Sequence, residues 1–207
     1  MTLHLDASGV KKVFNRRVIF QNISFSVQHQ QTLLITGRNG SGKSTLVKIL
    51  SDVLSPTEGS ITISSAEGEI NSPRASLIGL VSPYLQMYDE FSAEENLRYA
   101  LAIRGTVPET SHVYSLLKKV FLFNRKDDPV RAYSSGMKQR MKYAFALAHK
   151  PSILILDEPT SNLDTEGIAM VKEIMDEHRQ NGILIVATND LSDVDRYDAQ
   201  VDLNAAN

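Results

Sequence analysis

The sequence predicts an α/β fold: a mostly parallel sheet covered by helices, preceded by N-terminal antiparallel strands and interrupted by an inserted helical subdomain. Three observations predict it. An apolar strand, Gln31 to Thr36, runs through a glycine-rich turn into a helix. Strand, helix and strand alternate again between Ile153 and Ala187, the pattern of parallel strands joined by crossovers. Between these regions lies a stretch with helical periodicity and little strand signal. One domain is therefore expected over residues 1–207, with residues 1–82 and 151–207 as the core and residues 83–150 as the helical subdomain.

The elements follow in order. β-Branched and aromatic residues are dense in Val10 to Phe14 and in Val18 to Val27, which read as strands. Ser44 to Leu54 reads as a helix, with Leu46, Ile49, Leu50 and Val53 on one face. Ile61 to Ser64 and Leu77 to Val81 are further short strands. Ser92-Ala-Glu-Glu95 is a capping box that opens a helix through about Arg104. Val113, Leu116, Leu117, Val120 and Phe121 share one face of the next helix, and a third runs from Ser135 to His149, stopped by Pro151. Strand Ile153 to Leu156, helix Thr165 to Gln180 with Ile168, Val171, Ile174 and Met175 inward, and strand Ile183 to Ala187 complete the chain.

Composition narrows the functional classes. The 207 residues carry 22 Lys plus Arg against 24 Asp plus Glu, a net charge of −2, so a basic nucleic-acid footprint is not expected. Hydrophobic residues at 42% and charged residues at 22% belong to a globular chain, not a disordered or coiled-coil one. The absence of cysteine excludes disulfides, thiolate metal sites and cysteine nucleophiles. His4 and Asp6 interrupt the opening MTLHLDASGVKK where a secretory leader needs an unbroken apolar stretch, so none is expected. The apolar runs Tyr143 to Ala148, Ile153 to Leu156 and Ile183 to Ala187 fall far short of the roughly 20 residues that span a bilayer. Direct membrane insertion is not expected. The five histidines show no ligand spacing, and no zinc is expected.

Gly37-Arg38-Asn39-Gly40-Ser41-Gly42-Lys43-Ser44 matches the phosphate-binding loop and stands where that pattern works, between an apolar strand and a helix. Glycines let successive N–H groups turn toward phosphate oxygens, and the helix N-terminus adds partial positive charge. Lys43 supplies a mobile charge for the β- and γ-phosphates, and the Ser44 hydroxyl is a ligand type that suits Mg²⁺. Asp157 and Glu158 end the strand Ile153-Leu-Ile-Leu156, at the edge where open α/β sheets bind ligands. Asp157 reads as the Mg²⁺ ligand. Glu158, on the opposite side of the pleat, reads as the group that orients or deprotonates the attacking water.

Tyr133-Ser-Ser-Gly-Met-Lys-Gln-Arg140, at its spacing before Asp157, resembles the signature motif of ATP-binding cassette (ABC) ATPases. Asp157-Glu-Pro-Thr-Ser-Asn-Leu-Asp164 resembles that family's Walker B and D-loop run almost letter for letter. The resemblance extends from Phe14 to about Asp190 and implies a P-loop NTPase (RecA-like) core that binds ATP with Mg²⁺. It implies that Gly37, Asn39, Gly40, Ser41, Gly42, Lys43, Ser44 and Thr45 hold the phosphates and that Ser134, Ser135 and Gly136 close the site of a second chain. Those three residues open a predicted helix, so their N–H groups form a second anion-binding terminus. Phe14 would stack on adenine in this family; by residue type alone it reads equally as a core strand residue. Lys138, Arg140 and Lys142 read first as a solvated face and second as a contact to phosphate or to a partner.

Two positions depart from the family. In Val81-Ser-Pro-Tyr-Leu-Gln-Met-Tyr88, Pro83 or Tyr84 falls where the hinge glutamine belongs, and Gln86 comes two or three residues late. Gln86 reads first as a solvated loop residue and second as a substitute contact to Mg²⁺. In Ala187-Thr-Asn-Asp190, Asn189 stands in the place of the switch histidine; an amide can hold a phosphate but cannot exchange a proton near neutrality.

The resemblance implies the ATPase subunit of an ABC transporter, peripheral on the cytoplasmic face of the membrane, partnered by a second ATPase chain and by integral membrane subunits. Ser82 to Phe91 is the expected docking segment for the latter, although its aromatic residues suit burial against the subdomain's own helices equally. Short length, no expected C-terminal regulatory domain and the signature's ending resemble exporter-type ATPases, the haem-exporter type included. A soluble assembly scaffold and an ATP-binding switch with weak hydrolysis remain as alternatives.

Overall fold

The structure is a computed structural model and describes residues 2–70 and 72–204. Its strands are β1 (Leu3–Phe14), β2 (Arg17–Gln28), β3 (Thr32–Thr36), β4 (Glu58–Ser65), β5 (Gly68–Glu69), β6 (Ile78–Val81), β7 (Ile153–Asp157), β8 (Ile183–Ala187) and β9 (Ala199–Asp202). Its α-helices are α1 (Lys43–Leu50), α2 (Ala93–Ile103), α3 (Thr110–Lys119), α4 (Ser135–Leu147) and α5 (Thr165–Asn181). The expected α/β class holds. A parallel sheet of order β6-β7-β8-β3-β9 lies beside an antiparallel sheet of order β2-β1-β4-β5.

Both faces of the parallel sheet are buried, which is why its strands read as unbroken apolar runs. Alternate residues serve alternate cores. Leu34, Leu154, Leu156, Leu184 and Val186 pack with α2, α3, α4 and α5. Leu33, Ile35, Ile153, Ile155, Ile183 and Ile185 pack with Leu46, Ile49 and Leu50 of α1 and with Leu3, Leu5, Phe20 and Ile63 of the antiparallel sheet. Each such side chain contributes roughly 1.5–3 kcal/mol on leaving water. Gly79 lets α4 rest on β6: a Cβ there would stand 2.5 Å from the Ala146 carbonyl oxygen. Residues 83–150 carry α2, α3 and α4 and no named strand.

The register sets the site. Asp157 pairs with Ala187, and Ala187 with Ile35, so the ends of β7, β8 and β3 stand level at one edge of the sheet. The loops that follow, at residues 158, 188 and 37, are therefore neighbours in space although far apart in sequence.

Four expectations need correction. The helix expected to reach Leu54 ends at Leu50: Asp52 turns left-handed (φ 65°), Asp52 N–H reaches the Ile49 carbonyl and Val53 N–H the Lys48 carbonyl, and Val53 is 66% exposed instead of inward. The same reversal closes α3 at Phe121 (φ 57°), which swings Phe121 outward and puts Leu122 into the core in its place. Ile168 is only half-buried, and the neighbouring Met170 takes the inward position. The expected solvated face of α4 is paired: Lys138 binds Asp89 at 3.1 Å, Arg140 binds Asp164 at 3.3 Å, and Lys142 donates to the Pro83 carbonyl at 3.3 Å. The capping box at Ser92 forms as expected, with Glu95 N–H donating to Ser92 Oγ and Ser92 N–H to Glu95 Oε2.

Candidate functional site

A cavity of about 380 Å³ opens at that edge, lined by Phe14, Ile19, Asn39, Gly40, Gly42, Lys43, Ser44, Thr45, Tyr84 and Glu158. The loop between β3 and α1 forms its floor. Gly42 is required there twice over. Its φ of 106° is left-handed, and a Cβ would stand 2.7 Å from Ile19 Cγ2. The Lys43 side chain is buried, donates to the Gly37 carbonyl at 2.9 Å and lies 3.5 Å from Glu158 Oε1.

Asp157 is fully buried. One carboxylate oxygen is 3.4 Å from Ser82 Oγ; the other, Oδ1, has no partner. Burial pushes this carboxyl up, while the hydroxyls of Ser44 and Ser82 and the charge of Lys43 pull it down. An orphaned buried carboxylate oxygen beside a serine hydroxyl fits a hard divalent cation such as Mg²⁺. Among the described residues no group of three or more His, Cys, Asp or Glu could hold a metal.

Glu158 does not continue the pleat as expected. It sits just beyond β7 in a left-handed conformation (φ 51°), fixed by its N–H to the Ala187 carbonyl at 2.8 Å, and this turn aims its carboxylate at Lys43. Burial raises its carboxyl, with Lys43 opposing the shift. Asn189 is exposed above the phosphate loop, its Nδ2 donating to Asn39 Oδ1 at 3.2 Å.

Phe14 lies on the cavity wall at 43% exposure, with Lys12 Nζ 4.8 Å from its ring centroid; it is not a core residue. Gln86 is brought elsewhere. Leu85 N–H bonds the Ser82 carbonyl at 3.1 Å, and this turn presents Tyr84 to the phosphate cavity. Gln86 faces a separate hollow of about 270 Å³ with Leu85, Met87, Asp89, Val130, Lys138 and Lys142. The geometry therefore gives Gln86 no place beside Ser44 and Asp157. Ser134 and Ser135 are exposed and Gly136 half-buried, and Ser134 caps α4 by accepting from Met137 N–H at 3.2 Å. None of the three lines the cavity around Lys43.

Ile19 and Ser82 escaped the sequence reading. Period-two alternation in Val18 to Val27 shows that Ile19 has a face but not which ligand that face meets, and nothing local marks Ser82.

Residues 20–161 match the family described as ABC transporter. The lantibiotic transport ATP-binding protein SrtF of Streptococcus pyogenes is 34% identical over 192 residues, covering 92% of this chain and 82% of that protein. The cytochrome c biogenesis ATP-binding export protein CcmA of Methylococcus capsulatus is 32% identical over 190 residues, covering 89% and 90%. A solved structure described as the ATP binding subunit of an ABC transporter superposes with a TM-score of 0.83 at 25% identity, covering 96% of this chain and 85% of that one.

Proposed function

We infer, from the premise that this chain belongs to the ABC transporter family, that it is the subunit that binds and hydrolyses ATP for that transport. The observation that carries the reading is the convergence of Lys43, Ser44 and Glu158 around one cavity at the edge of the parallel sheet, with Asp157 buried at the end of the strand that precedes Glu158. The loop N–H groups and Lys43 hold the β- and γ-phosphates, Thr45 supports the loop, and Phe14 offers a face to adenine. Ser44 and Asp157 would hold Mg²⁺, which when bound would neutralise charge on the transferred phosphate. Glu158 takes a proton from the attacking water as the γ-phosphate bond breaks, leaving ADP and phosphate.

Ser134, Ser135 and Gly136 leave their helix terminus open at the surface, and this supports a second ATPase chain that brings the same terminus to this chain's nucleotide. ATP then holds two chains together, and loss of the γ-phosphate frees them. Among the described residues no helix is long and apolar enough to cross a membrane. An integral membrane subunit is the proposed partner, with this chain peripheral on the cytoplasmic face. Tyr88, Phe91 and Tyr99, packed ring to ring at centroid distances of 5.2 to 5.8 Å and each partly exposed, together with the hollow beside Gln86, form the proposed docking face.

The test is sedimentation of the Glu158→Gln protein with and without Mg-ATP. Dimerisation with ATP and not with ADP is expected. A monomer at ATP concentrations where calorimetry records full binding would overturn the two-chain site, and absence of binding would overturn the ATP reading itself.

A further inference from the structure

Asp193 is a buried carboxylate, 6% exposed, in the turn after β8. Its two oxygens hold two different loops. Thr160 Oγ1 donates to Asp193 Oδ1 at 2.6 Å, and Thr188 Oγ1 donates to Asp193 Oδ2 at 2.6 Å. A carboxylate that accepts two hydroxyl protons at this distance is a strong, directional anchor.

Each threonine leads to a different part of the site. Thr188 is fully buried, and its Oγ1 also accepts from Asp190 N–H at 3.0 Å, so the residue between them, Asn189, is tethered on both sides. Thr160 follows Glu158 by two residues. Its loop touches α4, the helix that Ser134 opens, three times: Tyr143 Oη donates to the Pro159 carbonyl at 2.7 Å, Arg140 pairs with Asp164 at 3.3 Å, and a Cβ at Gly136 would stand 3.2 Å from the Asn162 carbonyl oxygen. Asp193 itself is not among the residues around the phosphate cavity.

We propose that Asp193 is a positioning residue for ATP hydrolysis, whose carboxylate locks the Glu158–Asp164 loop and the Asn189 position into one unit. The proposal rests on the ATPase reading. Without the strap the fold, the phosphate loop and the adenine wall remain, so nucleotide affinity is retained. What is lost is the fixed relation between the group that activates water and the group beside the γ-phosphate. Thr160 and Thr188 then act through one shared acceptor, so their contributions do not add.

The experiment compares full-length wild type with Asp193→Ala, Thr160→Val, Thr188→Val, the double valine variant and Thr160→Ser, reading kcat, KM for Mg-ATP and thermal unfolding. Expected is a kcat about ten- to a hundredfold lower in Asp193→Ala, with KM changed less than about twofold. The double valine variant should fall no further than Asp193→Ala, and Thr160→Ser, which keeps the hydroxyl, should stay near wild type. Should Asp193→Ala fail to fold, the single valine variants carry the same comparison, since they preserve side-chain shape. Wild-type kcat in folded Thr160→Val and Thr188→Val, or valine effects that multiply independently, would overturn the strap while leaving the ATPase reading intact. A wild-type protein that hydrolyses no ATP would overturn both.

Discussion

Lys43 Nζ lies 3.5 Å from Glu158 Oε1 while donating to the Gly37 carbonyl at 2.9 Å, so the cation proposed to bind phosphate is held by its own loop and by the carboxylate proposed to activate water. In the proposed ATP complex phosphate oxygens replace these partners. The exchange leaves Glu158 with less of the charge that opposes its burial, which is what a general base needs to gain proton affinity.

This arrangement fixes the acid side of the pH profile. Burial raises the Glu158 carboxyl above the ordinary glutamate range, so the base is already protonated, and idle, at a pH where a solvated glutamate would still be charged. Turnover should therefore fall as pH drops through that raised value. Glu158→Gln should lower kcat by about 10²–10⁴-fold with ATP affinity retained. Phosphate release measured from pH 5 to 8, alongside nucleotide titration of the variant, checks both; steady hydrolysis near the wild-type rate in Glu158→Gln would refute the assignment.

Asp157 predicts a stability effect of opposite appearance. Its folded-state carboxyl is raised by burial, so its favourable contribution is complete below the unfolded value and is lost as pH rises through the folded one. When ionised, this carboxyl is a buried charge with one oxygen, Oδ1, lacking a partner. Asp157→Asn removes that charge and should stabilise the nucleotide-free protein by on the order of 1 kcal/mol, a rise of about 2–4 °C in Tm. The same change should abolish the further rise that Mg-ATP gives wild type. Thermal unfolding at pH 5 and 7, with and without Mg-ATP, separates the two effects, and the Tm gain should be smaller at pH 5.

The sequence made the site's contents legible and its geometry much less so. Lys43, Ser44, Asp157 and Glu158 could be named because phosphate chemistry demands those types after apolar strands of recognisable length. The left-handed turn that aims Glu158 could not be, since glutamate carries no local preference for it. Helix ends were misjudged for the same reason: α1 and α3 end at Leu50 and Lys119 and are followed by left-handed Asp52 and Phe121, whereas the glycine usual at such a reversal appears only after α2, as Gly105. Strand β9 was missed because its four residues, Ala-Gln-Val-Asp, are too short and polar to announce an edge strand that is secured by β3. Gln86 was offered by residue type, but the turn at Ser82 to Leu85 gives the cavity to Tyr84 instead.

Phe14 predicts a base-specific loss. Its ring is exposed on the cavity wall and makes no core contact that truncation would empty, so Phe14→Ala should fold like wild type. Stacking on a base is worth roughly 1–3 kcal/mol, which makes the expected rise in the Kd for ATP about 5- to 150-fold. Inorganic triphosphate, which has no base, should bind both proteins alike. Equal weakening for both ligands would mean that Phe14 shapes the phosphate loop and not the adenine wall.

Asn189 predicts a gain. Its amide donates to Asn39 on the phosphate loop at 3.2 Å, which places the side chain beside the proposed phosphate site. An amide does not titrate near neutrality, and wild-type turnover should show no second ionisation above the one assigned to Glu158. Asn189→His introduces a group with an ordinary pKa near 6.5 at that same place. The imidazole can donate to the phosphate as the amide does and can also exchange a proton, so kcat should rise, by about tenfold, and the pH profile should acquire a new limb between pH 6 and 7. Because position 189 is exposed, the exchange costs the core nothing, and Tm should stay within about 2 °C of wild type. An unaltered rate and an unaltered profile in the folded variant would show that residue 189 sits outside contact with the γ-phosphate during turnover.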